Sequence, residues 1–255
     1  DEKIAETVSA FKELKKDIDE MNIKNIRAFA TSAIRDAKNG NELVELIKKK
    51  FNITIEVIDG QKEAKIISQA VNYRIPTENQ CAMLIDIGGG STEITLLNHH
   101  KILYSKSFQC GTLRLLQLEN LEEVKSTAKA LSKELYKDLE KKELINKVNL
   151  CIGTGGNLRR MGKLRKIFFK RSYLKIFQSE LIAINDEVQK FSIEQRMNFL
   201  NMRRDRADVI VPAMTIIEEI LIKFDLTEIL LPQVGLKEGI FLGELKKMPR
   251  NIYNF

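Results

Sequence analysis

The sequence has no tryptophan and only two histidines, His99 and His100, which stand side by side in a polar stretch. Two adjacent histidines leave little room for a histidine-based triad, an HExxH zinc site or a His–Asp metal hydrolase. Any catalysis in this chain must therefore rest on carboxylates, backbone amides and cations.

Cysteines and long apolar runs are also scarce. Cys81, Cys110 and Cys151 are far apart, and none belongs to a CxxC pair. Such an odd, scattered set argues against a disulfide framework or a zinc knuckle and fits a reducing cytosol. No apolar run approaches the ~20 residues of a membrane helix, and the start of the chain lacks the apolar core of a signal peptide. We expect a cytoplasmic protein that binds no membrane.

What the chain does have is an ordinary globular composition and one basic run. The length of 255 residues predicts one or two domains, and two are favoured. Of these residues, 44% are hydrophobic and 30% are charged, which is typical of a globular protein. The net charge is +7, yet residues 158–175 contain eight basic side chains and no acid. The basicity is therefore one patch, which is either a solvated face or a surface that captures polyanions.

Periodicity predicts an α/β fold with mixed sheets. Helical spacing marks residues 4–19, 41–50, 63–73 and 121–142, and helices dominate from residue 179 onward. Strand patterns mark residues 26–30, 53–58, 83–87, 92–97, 102–108, 148–152 and 228–231. Mostly alternating strands and helices, with one stretch of consecutive strands, are typical of a mixed sheet covered by helices.

The first of two glycine loops follows the strand that ends near Asp86. It consists of Gly88, Gly89, Gly90 and Ser91, and Glu93 comes two residues later. Glycines let backbone amides approach an anion closely, and two carboxylates suit a hard cation such as Mg²⁺. The alternative is a tight turn between two strands, in which the Asp86 carboxylate accepts hydrogen bonds from backbone N–H groups of the turn.

The second glycine loop is Gly153, Thr154, Gly155, Gly156 and Asn157, again between an apolar strand and a helix, here a basic one. This is the context in which amides and a helix N-terminus bind phosphate. The loop matches neither GxxxxGK[ST] nor GxGxxG. Two such loops about 65 residues apart are a stronger signal than either one alone.

Six short segments occur in a fixed order along the chain: residues 30–35 (ATSAIR), 60–64 (GQKEA), 85–93 (IDIGGGSTE), 153–157 (GTGGN), 206–210 (RADVI) and 235–239 (GLKEG). This series resembles the exopolyphosphatase/guanosine pentaphosphate phosphohydrolase (Ppx/GppA) family, which belongs to the actin-like and sugar-kinase-like superfamily. The similarity covers about residues 4–244, which is nearly the whole chain.

The resemblance implies two ribonuclease-H-like lobes with the site in the cleft between them. The first lobe would hold residues 1–63 and a C-terminal helix at about 236–255, and the second lobe would hold residues 64–235. Family members open with a DxGSNS-type phosphate loop that these 255 residues do not contain. We therefore expect the first lobe to be incomplete at its N-terminus, and these residues alone to hydrolyse little.

The resemblance also implies the roles of individual residues. Glu63 is the catalytic carboxylate that orients or deprotonates water, and Asp86 and Glu93 hold Mg²⁺ or another hard divalent cation. The residues that bind phosphate are Arg35, Gly88, Gly89, Gly90, Ser91, Gly153, Thr154 and Gly155. Without the resemblance, Glu63 would be explained by the helix dipole and Arg35 by a surface ion pair with Asp36.

The implied function is release of terminal phosphate from polyphosphate, conversion of guanosine pentaphosphate to tetraphosphate, or both, with a homodimer possible. One alternative is a catalytically silent regulator that binds an alarmone. Another is a nucleic-acid-binding module, because Phe168, Phe169 and Tyr173 interleave with the basic run. We rank nucleic acid below polyphosphate as a partner. A kinase of the same superfamily ranks lower, because we find no adenine-pocket signature in the sequence.

Overall fold

The structure, a computed structural model, describes residues 2–75, 80–98 and 101–245. The chain divides into two compact units, with the boundary after Glu63. This boundary lies within one continuous helix, so that Glu63 and Ala64 are neighbours in the same helix but belong to different units.

The first unit is a small helix-covered pair of strands. Its elements are α1 (Glu2–Glu20), β1 (Ala28–Ala30), α2 (Ser32–Arg35), α3 (Gly40–Phe51), β2 (Ile55–Val57) and the first turn of α4 (Gly60–Arg74). β1 and β2 pair in parallel. Apolar residues at helical spacing in α1 and α3 bury Ile18, Leu43 and Ile47 against Ile53, which gives this unit its own core.

The second unit contains the rest of α4 and the remaining elements. Its strands are β3 (Cys81–Ile87), β4 (Thr92–Asn98), β5 (Lys101–Phe108), β6 (Leu150–Thr154), β7 (Lys175–Phe177) and β8 (Glu228–Leu230). Its helices are α5 (Thr112–Leu115), α6 (Leu121–Lys141), α7 (Gly155–Phe169), α8 (Gln178–Gln189), α9 (Ile193–Phe199), α10 (Arg204–Ala207), α11 (Ile210–Lys223) and α12 (Leu236–Leu245), with one 3₁₀ turn at Ile145–Lys147.

The strands of the second unit form one six-stranded sheet in the order β5-β4-β3-β6-β8-β7. β3, β6 and β8 are parallel, whereas β4, β5 and β7 are antiparallel to their neighbours. β3 is buried along its length except at Asp86, because apolar clusters cover both faces of the sheet. The predicted α/β class with a mixed sheet is confirmed.

Two features differ from what the sequence led us to expect. β7 begins at the last residue of the basic run, where no strand was predicted, and it forms because Ile176 pairs with Ile229 of β8 and is fully buried. We placed the last helix in the first lobe, whereas the contacts of α12 group it with the second unit. There Gly239 lies directly against the backbone of Ile66 in α4. Residues 246–255 of the predicted helix lie outside the described residues.

Cys81, Cys110 and Cys151 are buried and unbridged. Burial raises the pKa of the Cys110 thiol to about 11, which makes it unreactive near neutral pH. Among the described residues, no helix is both long enough and apolar enough to cross a bilayer.

One arginine of the basic run is part of the core. Arg165 of α7 is 3% exposed, and its Nε and Nη2 donate to the two carboxylate oxygens of Glu180 at 2.6 and 3.1 Å. Burial by itself raises the pKa of Glu180, but hydrogen bonds from Arg165, from the backbone N–H of Phe177 and from Arg171 hold this pKa below its ordinary value. Removing one partner of such a buried ion pair strongly lowers the free energy of unfolding, because the other charge stays buried without a counterion.

We expect Glu180→Gln to lower the free energy of unfolding by about 3–5 kcal/mol at pH 7, because it leaves a buried guanidinium without its counterion. The folded pKa of Glu180 lies below the unfolded value of about 4.3. Its stabilisation is therefore complete above that pH and is lost as the pH falls through the folded pKa. Urea unfolding at several pH values measures this difference.

The exposed Glu187 of α8, paired with Lys190 at 2.6 Å, provides the control. Glu187→Gln is expected to change the free energy of unfolding by less than about 1 kcal/mol. A Glu180→Gln penalty that stays constant down to pH 3 would show that the carboxylate charge is not what stabilises this region.

Candidate active site

Both glycine loops lie at the same edge of the six-stranded sheet. β3 and β6 are parallel neighbours, with Asp86 in register with Thr154, so their carboxyl ends meet. Open α/β sheets bind ligands outside the carboxyl ends of their parallel strands. The sequence predicted two separate loops, and the topology places them side by side.

The first loop, residues 88–91, is held in place by the segment that follows β5. The N–H groups of Thr112 and Leu113 donate to the carbonyls of Gly88 and Gly89 at 3.0 and 2.9 Å. Arg114 Nε donates to the carbonyl of Gly90 at 2.7 Å. These bonds occupy the loop's carbonyl oxygens and fix its conformation before any ligand binds.

The two predicted metal carboxylates face each other across the hairpin. Asp86 and Glu93 are directly opposite in the antiparallel register of β3 and β4, which places both side chains on the same face. Burial raises the pKa of Asp86 to about 6, a hydrogen bond from Thr154 opposes this shift, and the Glu93 carboxylate adds to it. The pair therefore carries an electrostatic cost that a bound cation would relieve.

Hydroxyl groups hold these two carboxylates. Glu93 Oε1 accepts from Ser91 Oγ at 2.5 Å and from Ser107 Oγ at 3.2 Å. Asp86 Oδ2 accepts from Thr154 Oγ1 at 3.1 Å. Ser91 and Thr154 are nearly fully buried. Their predicted contact with phosphate stays a prediction; in this structure their hydroxyls donate to the carboxylates.

The second loop joins β6 to α7. Gly153 lies within β6, where a Cβ would collide with Leu158, so this glycine also has a packing role. Gly155 opens α7 with a φ of +83°, and a Cβ there would collide with the carboxylate of Asp86. Only glycine fits both the backbone angle and this close approach.

The sequence analysis missed Arg206 as a residue of this region. Arg206 pairs with Asp205, with 3.6 Å between Nε and Oδ2. Its guanidinium also lies against Gly156, and Nη1 donates to Asn157 Oδ1 at 3.2 Å. Asn157 in turn donates to the carbonyl of Ile87 at 2.8 Å. No local pattern could predict this contact, because about 50 residues separate the two ends.

In the first unit, the structure brings together the other two predicted residues. Glu63, in the first turn of α4, has a side chain that is 12% exposed, and its Oε2 lies 3.8 Å from Arg35 Nη1. Arg35 also donates to the carbonyl of Ile58 at 3.1 Å and to Asp36 at 3.3 Å. The pair with Asp36 is therefore present, and Arg35 contacts the predicted catalytic carboxylate as well.

The donor set at the sheet edge fits a hard divalent cation. Asp86 and Glu93 supply carboxylate oxygens, and Mg²⁺ in proteins is commonly bound by one or two carboxylates together with substrate phosphates. Within the described residues, no group of three or more histidine, cysteine or acidic side chains is assembled to hold a metal. A cation here would accordingly depend on the anionic ligand to complete its coordination.

Known proteins match this chain in sequence and in fold. The model of the Ppx/GppA phosphatase family matches residues 1–248. The structure of the Aquifex aeolicus member of that family is 28% identical, with a TM-score of 0.77 over 97% of this chain and 82% of that one. An exopolyphosphatase from Cytophaga hutchinsonii is 25% identical, with a TM-score of 0.84 over 96% of this chain and 83% of that one.

A longer curated protein also matches. The bifunctional 3-dehydroquinate synthase/phosphatase of Fusobacterium nucleatum is 33% identical over 236 residues, which make up 87% of this chain. The match spans 35% of that protein, so the chain corresponds to about a third of its length.

Proposed function

Because the chain belongs to the Ppx/GppA phosphatase family, we propose that it hydrolyses phosphoanhydride bonds and releases terminal phosphate from inorganic polyphosphate. The observation that carries this proposal is the meeting of two glycine loops and the Asp86–Glu93 pair at one sheet edge. The exopolyphosphatase of Cytophaga hutchinsonii, which shares the fold, supports the substrate class.

The proposed chemistry uses fixed groups and needs no covalent intermediate. Phosphoryl transfer is accelerated mainly by positioning and by stabilising charge on the transferred group. The N–H groups of Gly89, Gly90 and Ser91 and the N-terminus of α7, which begins at Gly155, donate to phosphate oxygens. The N–H of Gly88 donates to the carbonyl of Ser91 at 2.9 Å and supports the turn. Glu63 takes the proton of the attacking water, and Arg35 holds its carboxylate in place.

Asp86 and Glu93 are the residues that would hold Mg²⁺ on this proposal. Bound there, the ion would neutralise charge on the phosphate oxygens. Ser91, Ser107 and Thr154 donate to the two carboxylates and hold them in place. The hydroxyls thus contribute through the carboxylates that they hold.

Phosphate release from long-chain polyphosphate, guanosine pentaphosphate and ATP, measured in parallel with Mg²⁺, tests the proposal. The assay uses the 255 residues and a version extended at its N-terminus by the family's first phosphate loop. We expect release from polyphosphate to be fastest. Tight binding of guanosine pentaphosphate without release from any substrate would instead support the silent regulator, and phosphoryl transfer from ATP would support a kinase.

We expect Glu93→Gln to raise the Mg²⁺ concentration needed for half-maximal activity by about 10–100-fold. The substitution keeps the shape of the side chain but removes one of two carboxylates from the proposed site. A Mg²⁺ titration of phosphate release measures the shift. The matched control is Glu134→Gln, which removes an exposed carboxylate paired with Lys106. Equal Mg²⁺ requirements in the two variants would remove Glu93 from the metal site.

A further inference from the structure

An open cavity of about 1120 Å³ lies beside α7, within the second unit. Six cationic side chains line it: Arg159, Arg160, Lys163, Lys166, Lys170 and Arg171. Among the described residues, no acidic side chain lines this cavity. It is therefore a concave surface of a single charge sign, which concentrates anions.

The cations follow the second glycine loop in a definite order. Arg159 lies four residues after Gly155, and Lys163, Lys166 and Lys170 follow at intervals of four, three and four residues. These intervals place the four side chains on one face of α7 and its C-terminal end. At 1.5 Å per residue, the stripe begins about 6 Å along the helix from Gly155 and continues for about 16 Å.

Acids neutralise several other cations of the basic run but not the three lysines of this stripe. Arg165 is bound to Glu180, and Lys175 lies 2.7 Å from Glu228. By contrast, Lys163, Lys166 and Lys170 have no ion pair within the part of the chain that the structure describes.

The arginines at the edge of the cavity are held by the protein. Arg160 donates to the carbonyls of Leu200 and Asn201, and Arg159 donates to the carbonyl of Gln233 at 3.2 Å and faces Glu238 at 3.5 Å. Like charges at these helical intervals repel and destabilise a helix. An uncompensated stripe of this kind is accounted for by an anionic ligand with several charges.

The positions of the aromatic side chains distinguish between two polyanions, single-stranded nucleic acid and inorganic polyphosphate. Binding of a single nucleic-acid strand uses aromatic rings on which successive bases stack. Of the three aromatics that interleave with the run, Phe168 packs against the core and only Tyr173 lines the cavity. Lysines act as flexible point charges, which suits a chain made of phosphate alone. The surface offers charge without a stacking platform.

We propose that this cavity binds the body of a long inorganic polyphosphate chain, behind the terminal phosphate that is released. The inference rests on the proposed function, since it extends the substrate from the phosphate loop along α7. It predicts that affinity rises with chain length, because a short phosphoanhydride cannot reach from the loop to the lysines.

The test is a triple variant in which Lys163, Lys166 and Lys170 are replaced by glutamine. All three side chains are exposed, and glutamine keeps a high helix propensity, so the fold should be retained. We expect its KM for long-chain polyphosphate to rise at least tenfold more than its KM for tripolyphosphate. The salt dependence of polyphosphate binding should also become less steep, because fewer counterions are released.

The matched control replaces Lys129, Lys133 and Lys137 of α6 by glutamine. These lysines are exposed, lie on one helix and carry the same total charge, but they do not line the cavity. The ratio of the two KM values should match that of the unmodified protein. If the two triple variants behave alike, the effect reflects net charge and the proposed subsite is overturned.

A binding assay separates this inference from the function on which it rests. Long-chain polyphosphate is titrated onto the Glu63→Gln protein, with and without the three lysine substitutions, so that no hydrolysis is needed. Loss of binding in the triple variant supports the subsite whatever the rate of phosphate release. Unchanged binding overturns the subsite even where release is normal. Competition by a single-stranded DNA of equal charge at equal concentration would assign the cavity to nucleic acid instead.

Discussion

Replacement of Glu63 by glutamine is expected to lower the rate of phosphate release by about 10²–10⁴-fold, the usual contribution of a general base. Glutamine has the size of glutamate but cannot accept the proton of the attacking water. The Glu63 side chain is 12% exposed and lies 3.8 Å from Arg35, so its position is fixed by its surroundings. Release is measured at saturating polyphosphate with Mg²⁺, and thermal unfolding of the same sample shows whether the fold is kept.

Glu56→Gln is the control in the same unit. Glu56 is 38% exposed, accepts from Lys62 and lies 3.3 Å from Arg27, so it is a carboxylate in a surface ion-pair cluster. Its loss should leave the rate within twofold and stability within about 1 kcal/mol. A Glu63→Gln protein that releases phosphate as fast as this control would reduce Glu63 to a first-turn acid that favours the dipole of α4.

Local pattern was enough to predict most of the strands and helices. The strand and helix periods marked the strands from β3 to β6, and they placed Asp86 and Glu93 on either side of a glycine turn. They are cross-strand partners in the structure. Such features depend on residues close in sequence, which is why the sequence alone indicates them.

The residues that the sequence could not place depend on distant partners. β7 exists because its three residues pair with β8, more than fifty residues later. Arg165 and Lys163 cannot be told apart within a basic run of sequence. In the structure, Arg165 is buried in an ion pair with Glu180, whereas Lys163 lines the cavity. Which face of α7 packs inward decides between the two, and packing of α7 against α8 and the sheet supplies that information.

The second large effect concerns Gly155. We expect Gly155→Ala to lower the free energy of unfolding by about 1–3 kcal/mol, because a φ of +83° is unfavourable for any residue with a Cβ. The added methyl would also collide with the carboxylate of Asp86 and push it from its place beside Thr154. Displacement of a reacting group by about 1 Å commonly costs about 10²-fold in rate.

Gly243→Ala separates these causes from the general effect of replacing glycine. Gly243 lies within α12, and no atom stands within 4 Å of the place that its Cβ would take. Alanine there should leave activity unchanged and add up to about 1 kcal/mol of stability, as in any helix interior. Urea unfolding and phosphate release, measured on both variants, compare the two glycines directly.

The two readouts for Gly155→Ala also locate its role. Loss of activity beyond what the loss of folded protein explains would mean that the turn holds Asp86 where the chemistry needs it. Loss of stability with full specific activity would mean that the close approach of Gly155 to Asp86 is only a packing device. The hydrogen bond from Thr154 to Asp86 would then remain as the contact between the second loop and the carboxylate pair.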